Sequence, residues 1–180
     1  MRLPYLLLFA LTLLLTPACE DDDAPVSPNT FTATLDGEPY EGAFNLAAII
    51  TNDTLSALAI SGTSLSDPNT QQVISIQLIT PADRLPRAGQ TFTQMGLCDL
   101  TDLTADCLGL GVVTDTRDTD GTNFTNFPDS GRPGEATLTF TELDYRFDGR
   151  AVGTFSGTVV DTAGQRLTVE NGAFDLRIVQ

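Results

Sequence analysis

The stretch Gly153–Ile178, GTFSGTVVDTAGQRLTVENGAFDLRI, decides the fold, because its apolar residues recur at a period of two and not 3.6. Val152–Asp161 reads as a strand, Thr162-Ala163-Gly164 as a turn and Arg166–Val169 as the returning strand. Asn171-Gly172 marks a bulge or a turn, since both residues tolerate a positive φ. Beyond it Phe174, Leu176 and Ile178 alternate with Asp175 and Arg177, which gives one apolar and one solvated face.

The same period extends upstream. Ala136, Leu138 and Phe140 share one face, and Leu143, Tyr145 and Phe147 alternate with the opposite parity. One residue must be absorbed between the two sets, so a β-bulge is predicted near Thr141-Glu142. Phe31, Ala33 and Leu35 alternate with threonines and run into an Asp36-Gly37 hairpin turn. Tyr40–Ile50 and Leu55–Thr63 read as two further strands separated by Asn52-Asp53. Ser64–Thr70, SLSDPNT, reads as a loop. In Val73–Ile79 both faces are apolar, as in a central strand. Pro81–Gly89 is irregular, Gln90–Gln94 is a short strand and Leu108–Val113 is a glycine-containing one. Thr114–Pro133 is the longest polar excursion and reads as a loop. Together these predict an all-β domain, an antiparallel β-sandwich of about eight to ten strands, with a closed β-barrel as the alternative.

Charge and composition exclude several functions. The chain carries a net charge of −15, and its 9 basic residues are all arginine. This balance disfavours nucleic acid and bare anionic membrane as partners. The absence of histidine excludes Ser-His-Asp and Cys-His nucleophiles and histidine-ligated metals. Cys98 and Cys107 flank a short acidic loop containing Asp99, Asp102 and Asp106. In an oxidising compartment a disulfide is the simplest reading of this pair, worth about 2.5–3 kcal/mol in the chain-entropy model; two buried thiols are the alternative.

The first 18 residues point to such a compartment. Arg2 precedes the apolar run Tyr5–Leu15, small residues end at Ala18, and Cys19 follows. The run is shorter than the roughly 20 residues of a membrane-spanning helix. Ala18-Cys19 resembles the lipobox of bacterial lipoproteins, although Thr16 stands where an aliphatic residue is usual. That resemblance implies lipidation of Cys19, with two or more acyl chains for stable anchoring. A plain secreted protein is the alternative. Glu20 and Asp21–Asp23 resemble the surface-export signal of Bacteroidetes-type lipoproteins; a solvated acidic linker is the bland reading. Residues 19–30 are expected to tether a single domain over residues 31–180 to the outer membrane, facing the cell surface.

The opening FTATLDGEPYEG (31–42) and the ending GTFSGTVVDTAGQRLTVENGAFDLRI resemble a family of uncharacterised Bacteroidetes lipoprotein domains. In that family a phenylalanine strand runs into an Asp-Gly turn, and the domain closes with a Gly-x-Phe strand, a turn and an Asn-Gly-x-Phe strand. The resemblance covers roughly residues 31–180 and implies fold and location only, because the family has no assigned activity.

Asp115, Asp118, Asp120 and Asp129, with Asn123 and Asn126, offer oxygen ligands of the kind calcium takes. Asp118-Thr119-Asp120-Gly121 has part of an EF-hand pattern, but in that register the first ligand position is Thr116 and the twelfth is Phe127, so it is not one. A solvated, turn-rich loop explains the carboxylates without a metal. Phe124 and Phe127 form either an exposed sugar-stacking platform or an apolar plug at one end of the domain. The expected function is a non-enzymatic, lipid-anchored binding or structural module with a glycan or protein partner. A carbohydrate- or calcium-binding accessory protein is the alternative, and a carboxylate-based hydrolase the least favoured.

Overall fold

The computed structural model describes residues 29–67, 70–95, 104–116, 119–127 and 131–179. The expected signal, Cys19 and nearly all of the tether lie outside these residues. Among the described residues the chain is strand and turn with no helix, and none therefore crosses a membrane as one.

The described residues form eleven strands: β1 (Thr30–Leu35), β2 (Glu38–Glu41), β3 (Phe44–Thr51), β4 (Leu55–Asp67), β5 (Thr70–Pro81), β6 (Thr91–Met95), β7 (Cys107–Thr116), β8 (Thr119–Thr125), β9 (Glu135–Leu143), β10 (Arg150–Val160) and β11 (Arg166–Val179). They form one mixed sheet in the order β2-β1-β11-β3-β4-β5-β7-β8-β10-β9-β6, with β11 also paired to β10. The pairing closes a ring, but its two seams are short. β11 meets β3 in parallel through Ile178↔Ala47 and Val179↔Ala48, and β8 meets β10 through Val160↔Thr125 alone. Between the seams run two antiparallel groups, β3-β4-β5-β7-β8 and β2-β1-β11-β10-β9-β6.

The all-β expectation holds, and the strand count exceeds the eight to ten expected for particular reasons. Tyr40–Ile50 is not one strand: it breaks at Gly42-Ala43, where a Cβ on Gly42 would overlap the Asn45 side chain. The loop expected at 64–70 is mostly strand, since β4 continues to Asp67 and β5 resumes at Thr70. Part of Thr114–Pro133 is strand as well, with β7 reaching Thr116 and β8 spanning Thr119–Thr125. Thr114, Thr116, Thr119 and Thr122 lie in a β7–β8 ladder, so β-branched strand preference outweighs the Asp and Gly turn signals.

The bulge predicted near Thr141-Glu142 is present. Val152 opposes Glu142 and Gly153 opposes Phe140, which leaves Thr141 as the extra residue. The strand ends at Leu143, short of the predicted Tyr145 and Phe147. There the Asp144 carboxylate takes the Arg146 backbone N–H at 3.2 Å and its guanidinium at 2.5 Å, and a turn follows. Asn171-Gly172 is a bulge inside one continuous β11, with Asn171 at a φ of 51°. Asp36-Gly37 makes the predicted hairpin turn, with φ of 47° and 90°.

The inward faces of the two groups share one core. Ile74, Ile76, Leu78, Leu108 and Leu110 come from the first group, and Phe31, Phe140, Phe155, Phe174 and Leu176 from the second. Phe31 stands 5.0 Å from Phe155 and 6.1 Å from Tyr40, ring centre to ring centre. Tyr40 is 4 % exposed and donates its hydroxyl hydrogen bond to the Gly62 carbonyl of β4. Burial pushes its phenol up to about 12. The folded value lies above the unfolded one of roughly 10, so this contribution is full below pH 10 and lost as the pH rises to about 12. Between pH 9 and pH 12 urea titrations are expected to show a fall to which Tyr40 contributes about 2–3 kcal/mol, beside a share from Tyr145, whose phenol burial also raises. In Tyr40→Phe the alkaline fall should shrink. An unchanged fall in that variant would assign it to other groups.

Candidate binding surface

The outward face of β3, β4, β5 and β7 is built from small and apolar residues. Cross-strand pairing aligns Phe44 with Thr63, Val73 and Val113; Leu46 with Ser61, Ser75 and Gly111; Ala48 with Ala59, Gln77 and Gly109; and Ile50 with Ala57, Ile79 and Cys107. Alternation sends these residues out because Ala47, Leu58, Ile60, Ile74, Ile76 and Leu108 fill the core from the positions between. Phe44 is 66 %, Leu46 46 %, Ile50 73 % and Leu65 53 % exposed. No outward position of β3, of β4 from Leu55 to Leu65, or of β5 carries a charged side chain.

The other antiparallel group is dressed differently. There Arg150 on β10 pairs with Asp175 of β11 at 2.6 Å and Glu142 of β9 at 2.9 Å. The hydrogen bonds that Arg150 donates to Asp175, more than the charge of either acid, hold its pKa above the usual value. One side of the molecule is thus charged, and the other is nearly free of charge over three adjacent strands. Charge spacing announces this in the sequence. Between Gly42 and Pro81 only Asp53 and Asp67 are charged, in a chain with 9 basic and 24 acidic residues. Reading strands by hydrophobic period alone passes over that gap.

At the β7–β8 border this face opens into a cavity of about 240 Å³. The ring of Phe127 forms one wall, with Ser75, Asn123 and Arg132 around it. Gly109 and Gly111 make room for the ring: a Cβ on Gly109 would overlap it, and one on Gly111 would stand 3.3 Å away. Asn126, fully buried, fixes the end of β8. Its backbone N–H donates to the Leu110 carbonyl at 3.1 Å, and its Oδ1 accepts from the Leu110 N–H at 2.6 Å. Arg132 Nη1 donates to the Asn123 carbonyl at 2.7 Å, closing the rim.

The predicted site residues divide between these places. Phe124 and Phe127 do not form a joint platform. Phe124 opposes Val112 and packs against the core, whereas Phe127 covers the outward glycines. Asp115 sits in β7 opposite Gln71, and Asp120 lies in β8. Asp118 and Asp129 lie outside the described residues, and among the described residues no three His, Cys, Asp or Glu side chains are grouped to hold a metal ion. Cys107 begins β7 and is buried, while its expected partner Cys98 lies outside the described residues, as do Asp99 and Asp102. Asp106 forms an exposed 3.6 Å ion pair with Arg84. Compared with protein-family models, curated proteins and solved structures, the chain matches none.

Proposed function

We propose that the chain is a surface lipoprotein of a Gram-negative outer membrane, tethered through Cys19, that acts as a non-enzymatic binding module. Its working surface in this reading is the outward face of β3, β4 and β5. The observation that carries it is the coincidence, on one sheet face, of exposed Phe44, Leu46, Ile50 and Leu65 with the absence of charge in a chain of net charge −15. Contiguous exposed apolar surface of this kind marks interaction sites. The location follows from the signal, Cys19 and the acidic run after it, and from the resemblance to Bacteroidetes lipoprotein domains. A Cys98–Cys107 bridge would staple the entry to β7.

A second reading is carried by the cavity. Phe127, Ser75, Asn123 and Arg132 combine one aromatic ring with hydrogen-bonding groups, the chemistry that holds a neutral sugar. Calcium enters this reading only through Asp115 of β7 and Asp120 of β8.

Cell fractionation tests the anchor. Wild type is expected in the membrane fraction, and Cys19→Ser in the soluble extracytoplasmic fraction. Continued membrane association of Cys19→Ser contradicts the lipoprotein reading. For the second reading, a neutral-glycan array is expected to lose its signal in Phe127→Ala; an array silent with wild type removes it.

A further inference from the structure

We propose that the outward face of β3, β4 and β5 lies against the bilayer that carries the chain's own anchor; this rests on the lipoprotein reading above. Charge selects the occupant. A basic partner would be met by carboxylates, and this face presents none. A second copy would bring another net charge of −15 toward the first. A neutral, apolar layer meets neither objection, and the hydrocarbon boundary of a zwitterionic bilayer is such a layer.

The path of the chain brings the start of β3 near the anchor. Asn45 Nδ2 donates to the backbone carbonyl of Asn29 at 2.9 Å, so the described chain begins beside the start of β3. Asn45 lies between Phe44 and Leu46. Cys19 is ten residues earlier (29 − 19), a length that reaches at most about 35 Å when fully extended. Asn29 directly precedes β1, so the tether enters where the starts of β1 and β3 meet, and the apolar strand begins beside that entry.

The face also has the form a bilayer surface accepts. It presents side chains and not a strand edge, so docking buries no unpaired backbone group of the β3–β4–β5 ladder. Phe44 and Ile50 are six residues apart on β3, about 20 Å. They give two widely spaced apolar contacts, with Leu46 and Ala48 between them. Tethering makes the docking intramolecular, so weak insertion of a few side chains suffices once the lipid holds the chain at the surface.

The chain contains no tryptophan, which leaves a clean background for a fluorescent probe. Full-length lipidated protein is reconstituted into phosphatidylcholine vesicles as Phe44→Trp, Ile50→Trp and, on the opposite group, Thr154→Trp. Lipids brominated near the headgroup end of the acyl chain serve as quenchers. Emission from Phe44→Trp and Ile50→Trp is expected to shift to the blue and fall at least twofold, with Thr154→Trp unchanged. Solvent-like, unquenched emission at Phe44→Trp and Ile50→Trp in protein that floats with the vesicles overturns the docking and leaves the anchor standing. A blue shift without bromine quenching overturns it in favour of a second copy covering the face. Protein whose Cys19 has no lipid by mass spectrometry and which does not float overturns the anchored reading, and this proposal with it.

Discussion

Phe31→Ala is expected to destabilise the domain by about 3–5 kcal/mol, the range for deleting a large buried aromatic. Phe31 is fully buried, and its ring occupies the space that a Cβ on Gly62 would take. It thus carries β1, in one antiparallel group, onto β4 in the other. Truncation opens a cavity between the groups and removes the contacts with Phe155 and Tyr40 together. Neighbours are poorly placed to fill it, because Gly62 supplies no side chain and Phe155 is held against Phe174 with ring centres 6.4 Å apart. Urea unfolding read at the domain's tyrosines measures the loss. A cost below about 1 kcal/mol would mean that the two groups do not depend on this contact.

Gly153→Ala is expected to cost about 3 kcal/mol, the upper end for overpacking. Gly153 lies on β10 between Phe140 of β9 and Phe174 of β11. A methyl group there would overlap the Thr139 carbonyl oxygen and stand 2.6 Å from the Phe174 ring. The oxygen belongs to the backbone of a paired strand, so no rotamer change relieves the overlap. The midpoint of thermal unfolding should fall by about 10 °C for a domain of this size. Gly164→Ala is the contrasting case. Its Cβ would meet nothing within 4 Å, but its φ of 82° penalises any side chain, so the loss should be nearer 1 kcal/mol. Equal losses at the two positions would deny the close approach of β9, β10 and β11.

These two sites show which parts of the fold the sequence makes legible. Parity, which depends only on the alternation of adjacent residues, is readable. It located the bulge at Thr141. Turn chemistry was readable at Asp36-Gly37 and at Thr162-Ala163-Gly164, where the Asp161 Oδ1 accepts the N–H groups of Ala163 at 2.8 Å and Gln165 at 2.7 Å. Strand limits were less readable where polar residues continue a ladder. Thr119–Thr125 contains Asp, Gly and Asn, yet it pairs with β7 because its threonines suit a half-exposed strand. Phe124 and Phe127 are only three positions apart, but the strand sends one ring inward and the chain beyond it lays the other over Gly109. The uncharged face depends on which strands become neighbours, and no local pattern states that β3, β4 and β5 lie side by side.

The outward face of β3, β4 and β5 is the proposed working surface. Hydroxyl-radical labelling of the lipidated protein on intact cells, compared with soluble Cys19→Ser, tests it most directly. Phe44, Ile50 and Leu65 should be labelled freely in the soluble form and protected at the cell surface. Met95, 74 % exposed on the distant edge strand β6, should be labelled equally in both. Equal labelling of Phe44, Ile50 and Leu65 in the two forms would contradict the claim.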